Sequence, residues 1–206
     1  MYNDKKVVLI TPSYSGSVCS GYAVMLSELA NRIVDLAVIL EHETGLAKAR
    51  QRLLDAAFNQ YEADIAFFVD DDVFIPPDDL VKMLDTMCVE GAGLVAPLIT
   101  NKHGVTIYEH KDSVNTLACT LVSREAYKLV GDHLLSSDYC EQLDYMLWPR
   151  MFGYEYAGNE VDETLYFLYA AKDAGVKMRT LVTAKAQHKN EVYHTPTDIK
   201  ERFPCE

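Results

Sequence analysis

The sequence predicts an α/β domain, with a mostly parallel central sheet flanked by helices. Short apolar runs alternate with segments of helical spacing from residue 7 to residue 98, the pattern of parallel strands buried on both faces. Composition agrees with that class. The 206 residues are 49% hydrophobic and 24% charged, which fits one ordinary globular core. No internal repeat or low-complexity linker divides the chain, so a single domain over 1–206 is expected.

Taken in order, Val7 to Ile10 is apolar and stops at Thr11-Pro12, so 7–10 reads as a buried strand feeding the Ser/Gly-rich loop 13–21. Residues 22–33 have helical spacing, with Ala23, Leu26, Leu29, Ala30 and Ile33 on one side. Residues 34–40 are a second apolar strand. Residues 45–59 read as a helix with Leu46, Ala49, Leu53 and Ala57 on one side and Lys48, Arg50 and Arg52 between them. A third apolar strand, 65–69, ends directly in Asp70. Pro76-Pro77-Asp78-Asp79 then opens a helix to about residue 88, with proline in the first turn and acids at the positive end of the dipole. Residues 93–98 are the next strand.

The second half has a different texture. Residues 105–110 and 115–123 read as a pair of strands, and 124–130 as a helix. Aromatic-rich 139–156 shows no usable period. Residues 160–174 are helical up to Gly175, a C-capping glycine, and 178–186 form the last strand before a polar tail holding His188 and His194.

Charge and cysteine usage narrow the function. The formal net charge is −12 and no Lys/Arg-rich run stands out, so phosphate-neutralising binding to nucleic acid is not expected. An acidic protein that handles an anionic substrate needs a local cation, and a carboxylate-bound metal can supply one. Five scattered cysteines without a CxxC pair argue against a disulfide framework and a structural zinc site, and suit a reducing, cytoplasmic setting. The N-terminal MYNDKK carries no signal-peptide pattern. No apolar stretch approaches the ~20 residues that span a bilayer, so the chain is not expected to be membrane-embedded.

The most informative segment is Ile65-Ala66-Phe67-Phe68-Val69 followed by Asp70-Asp71-Asp72. Ligands of parallel α/β sheets collect at the carboxyl ends of strands. Three adjacent carboxylates there repel one another unless a cation or protons neutralise them. Hard oxygen ligands suit Mg2+ or Mn2+, which bridge a carboxylate and a diphosphate. The bland alternative is a solvated turn, the common explanation for a single acid after a strand.

Phe67-Phe68-Val69-Asp70-Asp71-Asp72-Val73-Phe74-Ile75-Pro76-Pro77 resembles the DxD segment of GT-A glycosyltransferases of the family 2 type. Leu46-Ala47-Lys48-Ala49-Arg50-Gln51-Arg52 is similar to the "aRaRN" stretch one helix earlier, with Gln51 where Asn is usual. Val8 to Tyr14 resembles the first strand and nucleotide loop of that fold, and Asp162-Glu163 followed by a helix and Ala174-Gly175 resembles its acidic "ED…AG" segment. The likeness runs in order over about residues 6–188.

The resemblance implies a metal-dependent glycosyltransferase that moves a sugar from a UDP- or GDP-sugar to a glycan, protein or lipid-linked acceptor. It places nucleotide-sugar binding in 1–97 and acceptor binding in 98–206. Asp70 is expected at the nucleotide and at the metal, Asp71 as a further contact to the donor, and Asp72 and His188 as ligands to Mn2+ or Mg2+. His194 rivals His188. Asp162 is the first candidate for the acceptor's general base and Glu163 the second. Helix-dipole complementation explains the same acids without catalysis. Arg50 is expected to reach the diphosphate or base, and Thr11, Pro12 and Tyr14 to hold the base; a solvated helix face and an ordinary turn are their structural alternatives.

Three other classes compete. Apolar residues before Asp70-x-Asp72 also resemble the nucleophile motif of haloacid-dehalogenase-type phosphatases, which want Thr or Val where Phe74 stands. A non-catalytic sugar-nucleotide or glycan-binding module would leave every carboxylate of 160–163 away from the metal site. A nucleotidyltransferase wants a basic glycine loop after the first strand, and 11–21 has neither Lys nor Arg.

Overall fold

The computed structural model describes residues 4–13, 18–33, 36–41, 45–100, 114, 116–137, 140–143 and 146–188. The strand expected at 105–110, Tyr14 and His194 lie outside them.

The first half follows the alternation read from sequence. β1 (Val7–Pro12), α1 (Ser20–Leu29), β2 (Leu36–Glu41), α2 (Leu46–Asp55), β3 (Ile65–Val69), β4 (Val73–Phe74), α3 (Pro77–Glu90) and β5 (Leu94–Thr100) succeed one another. A π-helical turn, Ala56–Gln60, prolongs α2. In the second half come β6 (Cys119–Ser123), α4 (Arg124–Ser136), the hairpins β7 (Cys140–Leu143)–β8 (Met146–Pro149) and β9 (Glu155–Tyr156)–β10 (Asn159–Glu160), then α5 (Glu163–Asp173) and β11 (Met178–His188).

The central sheet has the order β2-β1-β3-β6-β5-β11-β4. β1 pairs in parallel with β2 and β3, and β5 in parallel with β11. Two strands run the other way. β6 is inserted antiparallel between β3 and β5, and β4 lies antiparallel against the end of β11. A strand buried on both faces reads as a plain apolar run in either direction, so periodicity does not reveal the reversal at β6.

Side chains alternate between two cores, one per face. Val8, Ile10, Ala66 and Phe68 join Leu53, Leu54, Val130 and Phe167 from α2, α4 and α5. Val7, Leu9, Ile65 and Phe67 join Met25, Leu29, Leu80 and Leu84 from α1 and α3. On α1 Tyr22, Met25 and Leu29 are buried; of the face expected from sequence, Leu29 and Ile33 are buried and Leu26 is half-buried, whereas Ala23 and Ala30 are exposed. Gly91 and Gly175 end α3 and α5 in the left-handed region, φ 62° and 74°, where glycine has no Cβ penalty.

The segment that defied periodicity turns out to feed the core with rings. Phe152 stacks on Phe167 at 5.2 Å and meets Phe68 edge-on at 6.1 Å, while Tyr156 meets Tyr166 edge-on at 5.4 Å. These contacts seat 151–156 against α5 and bring the start of that helix to the carboxyl end of β3.

Candidate active site

β3 delivers Asp70, Asp71 and Asp72 to the carboxyl edge of the sheet, where the backbone turns tightly: Val73 N–H donates to the Asp70 carbonyl at 3.0 Å. Asp70 N–H donates to Ala118 C=O at 2.9 Å, so the residue before β6 braces the turn. The three carboxylates then part toward three partners. Asp70 faces Arg50 at 3.5 Å, Asp71 accepts from Ser13 Oγ at 2.7 Å, and Asp72 lies 3.4 Å from His188 Nε2.

Arg50 sits in the first turns of α2, on its inward side, with 4% of its side chain exposed. Its guanidinium also donates to Glu163 Oε1 at 2.8 Å and to Thr164 Oγ1 at 2.6 Å. A buried arginine is retained at low cost only when paired, and here two carboxylates from opposite halves of the chain share it. Its Nε is buried with no hydrogen-bond partner among the described residues. Such an orphaned donor calls for an explanation, and a ligand acceptor is one.

Burial pushes the Asp70 carboxyl above the ordinary carboxylate range; Arg50 draws it back down, and neighbouring Asp72 pushes it up again. The buried Cys119 thiol, beside β3 on β6, is raised by burial and by the same Asp70 charge. Negative charge is therefore concentrated at this edge beyond what Arg50 neutralises. A cation on the exposed side of Asp72 would relieve it.

Asp71 does structural work. Besides the Ser13 bond, its carbonyl accepts the Cys19 N–H at 2.9 Å, which ties the β3 turn to the start of α1. Thr11 turns inward: its side chain is buried and its hydroxyl meets the Tyr22 hydroxyl. Pro12 lies beside Glu41 of β2, and Ser13 N–H donates to the Glu41 carbonyl at 2.9 Å.

Asp162 and Glu163 part company by one residue. Asp162 is the N-cap of α5, its carboxylate accepting the Leu165 N–H at 2.7 Å on the exposed side of the helix. Glu163, 13% exposed, points inward to Arg50. The second of the two sequence candidates is thus the one joined to the Asp70 cluster. His188 ends β11 in register with Val73, directly after Asp72. Among the described residues, no three His, Cys, Asp or Glu side chains converge on one point as a closed metal cage. Asp72 and His188 offer an oxygen and an imidazole side by side, a donor pair suited to Mn2+ or Mg2+ when a diphosphate completes the shell.

Sequence reasoning missed Ser13, Thr164 and Gln51. Gln51 carries a signal only in hindsight: it occupies the Asn position of the "aRaRN"-like stretch, and its Oε1 accepts the Met151 N–H at 2.7 Å, 100 positions away.

Residues 18–145 match the family model described as glycosyl transferase family 2. No curated protein matches the chain. Among solved structures, A197 from STIV is similar with a TM-score of 0.57 at 18% identity, over 90% of this chain and 86% of that one. S. aureus TarS 1-349 in complex with UDP-GlcNAc is similar with a TM-score of 0.53 at 13% identity, over 95% of this chain and 64% of that one. The chain therefore spans somewhat under two thirds of that TarS chain. At such identities the likeness is one of fold.

Proposed function

The chain belongs to glycosyl transferase family 2, and we propose that it moves a sugar from a UDP-sugar onto an acceptor hydroxyl, with Glu163 as the general base. The observation that carries this reading is Arg50 held between Asp70 and Glu163, at 3.5 and 2.8 Å. One side chain links the end of β3, where a nucleotide diphosphate would arrive, to the carboxylate that would meet the acceptor. That link disfavours a pure binding module, which has no use for the second acid. UDP in the TarS complex favours uridine over guanosine.

In an inverting transfer the acceptor oxygen attacks the anomeric carbon, the bond to the diphosphate breaks, and the acceptor's proton passes to Glu163. Arg50 orients that carboxylate and steadies Asp70 beside the donor. Asp70 lies on the nucleotide side, with Pro12 toward the base. Asp71 anchors the loop at Ser13. Asp72 and His188 would hold Mn2+ or Mg2+, which supplies Lewis-acid neutralisation of the departing diphosphate. In this reading 1–97 supplies most of the donor side and 98–206 most of the acceptor side. No described helix is long and apolar enough to cross a membrane.

A thermal-shift panel of nucleotide sugars with and without Mn2+ tests the reading. A saturating UDP-sugar raises the melting point by mass action, by about 2.7 kcal/mol of stability at a hundredfold excess over Kd. Asp72→Ala is expected to fold, to lose the Mn2+-dependent part of the shift and to lose turnover. A wild-type chain indifferent to every nucleotide sugar, or an Asp72→Ala variant with full metal-dependent activity, overturns the proposal.

A further inference from the structure

Beside the Arg50–Glu163 bridge, on the next face of α2, lies a cleft of about 940 Å³ between that helix and residues 149–160. Its walls include Lys48, Gln51 and Asp55 from α2, and Arg150, Tyr154 and Glu160 from the opposite segment. Its walls run within a few residues of the reaction centre, since Gln51 follows Arg50 in the chain and Glu160 precedes Glu163 by three positions, although neither Arg50 nor Glu163 lines the cleft itself.

We propose that this cleft binds the acceptor, and that the acceptor is a neutral saccharide. The proposal rests on the transferase reading above and adds the place and chemistry of the second substrate. Three observations point there. First, carboxylates outnumber cations on the walls, with Asp55, Glu155 and Glu160 against Lys48 and Arg150. A phosphorylated or sulfated acceptor would meet net repulsion, whereas planar acids and amides hydrogen-bond well to sugar hydroxyls. Second, Tyr154 stands 57% exposed at the cleft, so its ring is accessible to a ligand there. A phenol ring offers an apolar face to the C–H side of a pyranose and a hydroxyl at its rim.

Third, the cleft is built rather than incidental. Gln51 Oε1 accepts the Met151 N–H at 2.7 Å while its Nε2 donates to Asp55 Oδ2 at 3.0 Å. Tyr127 OH donates to the other Asp55 oxygen at 2.9 Å, and Asn59 donates to Tyr127 OH at 3.0 Å. This chain of four side chains fixes the 149–153 wall against α2. Gly153, whose Cβ would sit 2.8 Å from the Tyr166 ring, lets that wall close onto α5. A half-buried polar network of this kind holds a geometry rather than adding much stability. Here the geometry held is the width of the cleft.

The test uses the whole chain, fluorescently labelled, on an array that carries neutral, sulfated and phosphorylated oligosaccharides. Wild type and Tyr154→Ala are compared, with the UDP-sugar thermal shift measured on both. Wild type is expected to bind neutral saccharides, and Tyr154→Ala to bind them about tenfold more weakly, the scale of one lost ring contact. Donor shift and melting point are expected to be unchanged in the variant, because the ring is exposed and touches neither Arg50 nor the aspartates. Wild type that binds no neutral saccharide, or binds only the charged ones, overturns the proposal, as does a Tyr154→Ala variant that binds like wild type. A wild-type chain that binds saccharides through Tyr154 but ignores every UDP-sugar supports the cleft and sinks the donor reading instead.

Discussion

Arg50 and Glu163 are 113 positions apart in the chain and 2.8 Å apart in the fold. Neither residue is functional by its local sequence alone, since an arginine on a helix and an acid at a helix start are both ordinary. Their meeting, with Asp70 on the other side of the guanidinium, turns two unremarkable positions into the centre of the molecule.

Removing that guanidinium leaves two partly buried acids uncompensated. Arg50→Ala is expected to cost on the order of 3 kcal/mol, at the lower end for a broken buried pair because Asp70 keeps 23% exposure. Urea denaturation of the purified variant measures it. Arg50→Lys keeps the charge but not the fork that serves Glu163 and Thr164 together, so it is expected to recover part of the stability and little of the turnover.

The one-residue split between Asp162 and Glu163 is separable by experiment. Asp162→Ala removes the N-cap acceptor of α5 and is expected to lower stability by about 1 kcal/mol with turnover largely kept. Glu163→Gln keeps the shape and is expected to abolish transfer with donor binding retained. The opposite pattern, a dead Asp162→Ala and an active Glu163→Gln, would return the base to Asp162.

Alkaline pH reads the packing around Thr11. The Tyr22 phenol is pushed up to about 12, chiefly by burial, with the Thr11 bond working against the shift and the Asp71 charge adding to it. In the unfolded chain it ionises at the ordinary phenol value of 10.0, so the unfolded state loses its proton first as pH rises. The stability this group contributes is complete below pH 10 and is lost between there and about 12. Tyr22→Phe should flatten that part of a pH–stability curve. Near neutral pH it should cost about 1 kcal/mol for the lost hydroxyl bond.

Gly153 tests the seat of the 149–156 segment. A Cβ there would approach Tyr166 Cε2 to 2.8 Å, and that ring is 1% exposed and cannot swing away. Gly153→Ala is expected to lower stability by roughly 1–3 kcal/mol, as overpacking does. A melting curve that matches wild type would mean the wall moves freely.

Much of the fold was legible in the residues. The run Ile65 to Val69 stopping at three aspartates announced a buried strand with a charged end, and β3 occupies those positions. The alternation up to residue 98 announced the helices and strands around it. The antiparallel place of β6 was not legible, because its apolar residues suit either direction. Nor was the 139–156 segment, where Phe152 and Tyr156 are spent on contacts with α5 rather than on a repeating face. For the site, the aspartates and His188 stood out as chemistry-bearing types in telling places. What no local pattern encodes is which oxygen meets which nitrogen. The Asp162 cap decides that Glu163 faces inward, and this depends on where α5 begins, the kind of boundary that sequence reading fixes only to within a residue or two.

The irregularity in β11 has a consequence for how the chain can vary. Leu181 pairs with Pro97 and Lys185 with Leu98, so three residues of β11 loop out against none on β5 before pairing resumes toward His188. Such a looped-out stretch interrupts the alternation of side chains, so the face on which His188 emerges is set by the pairing that resumes at Lys185 and Leu98, not by the number of residues before it. The stretch can therefore lengthen or shorten by single residues while the histidine stays beside the last aspartate, provided the pairing from Lys185 onward is kept.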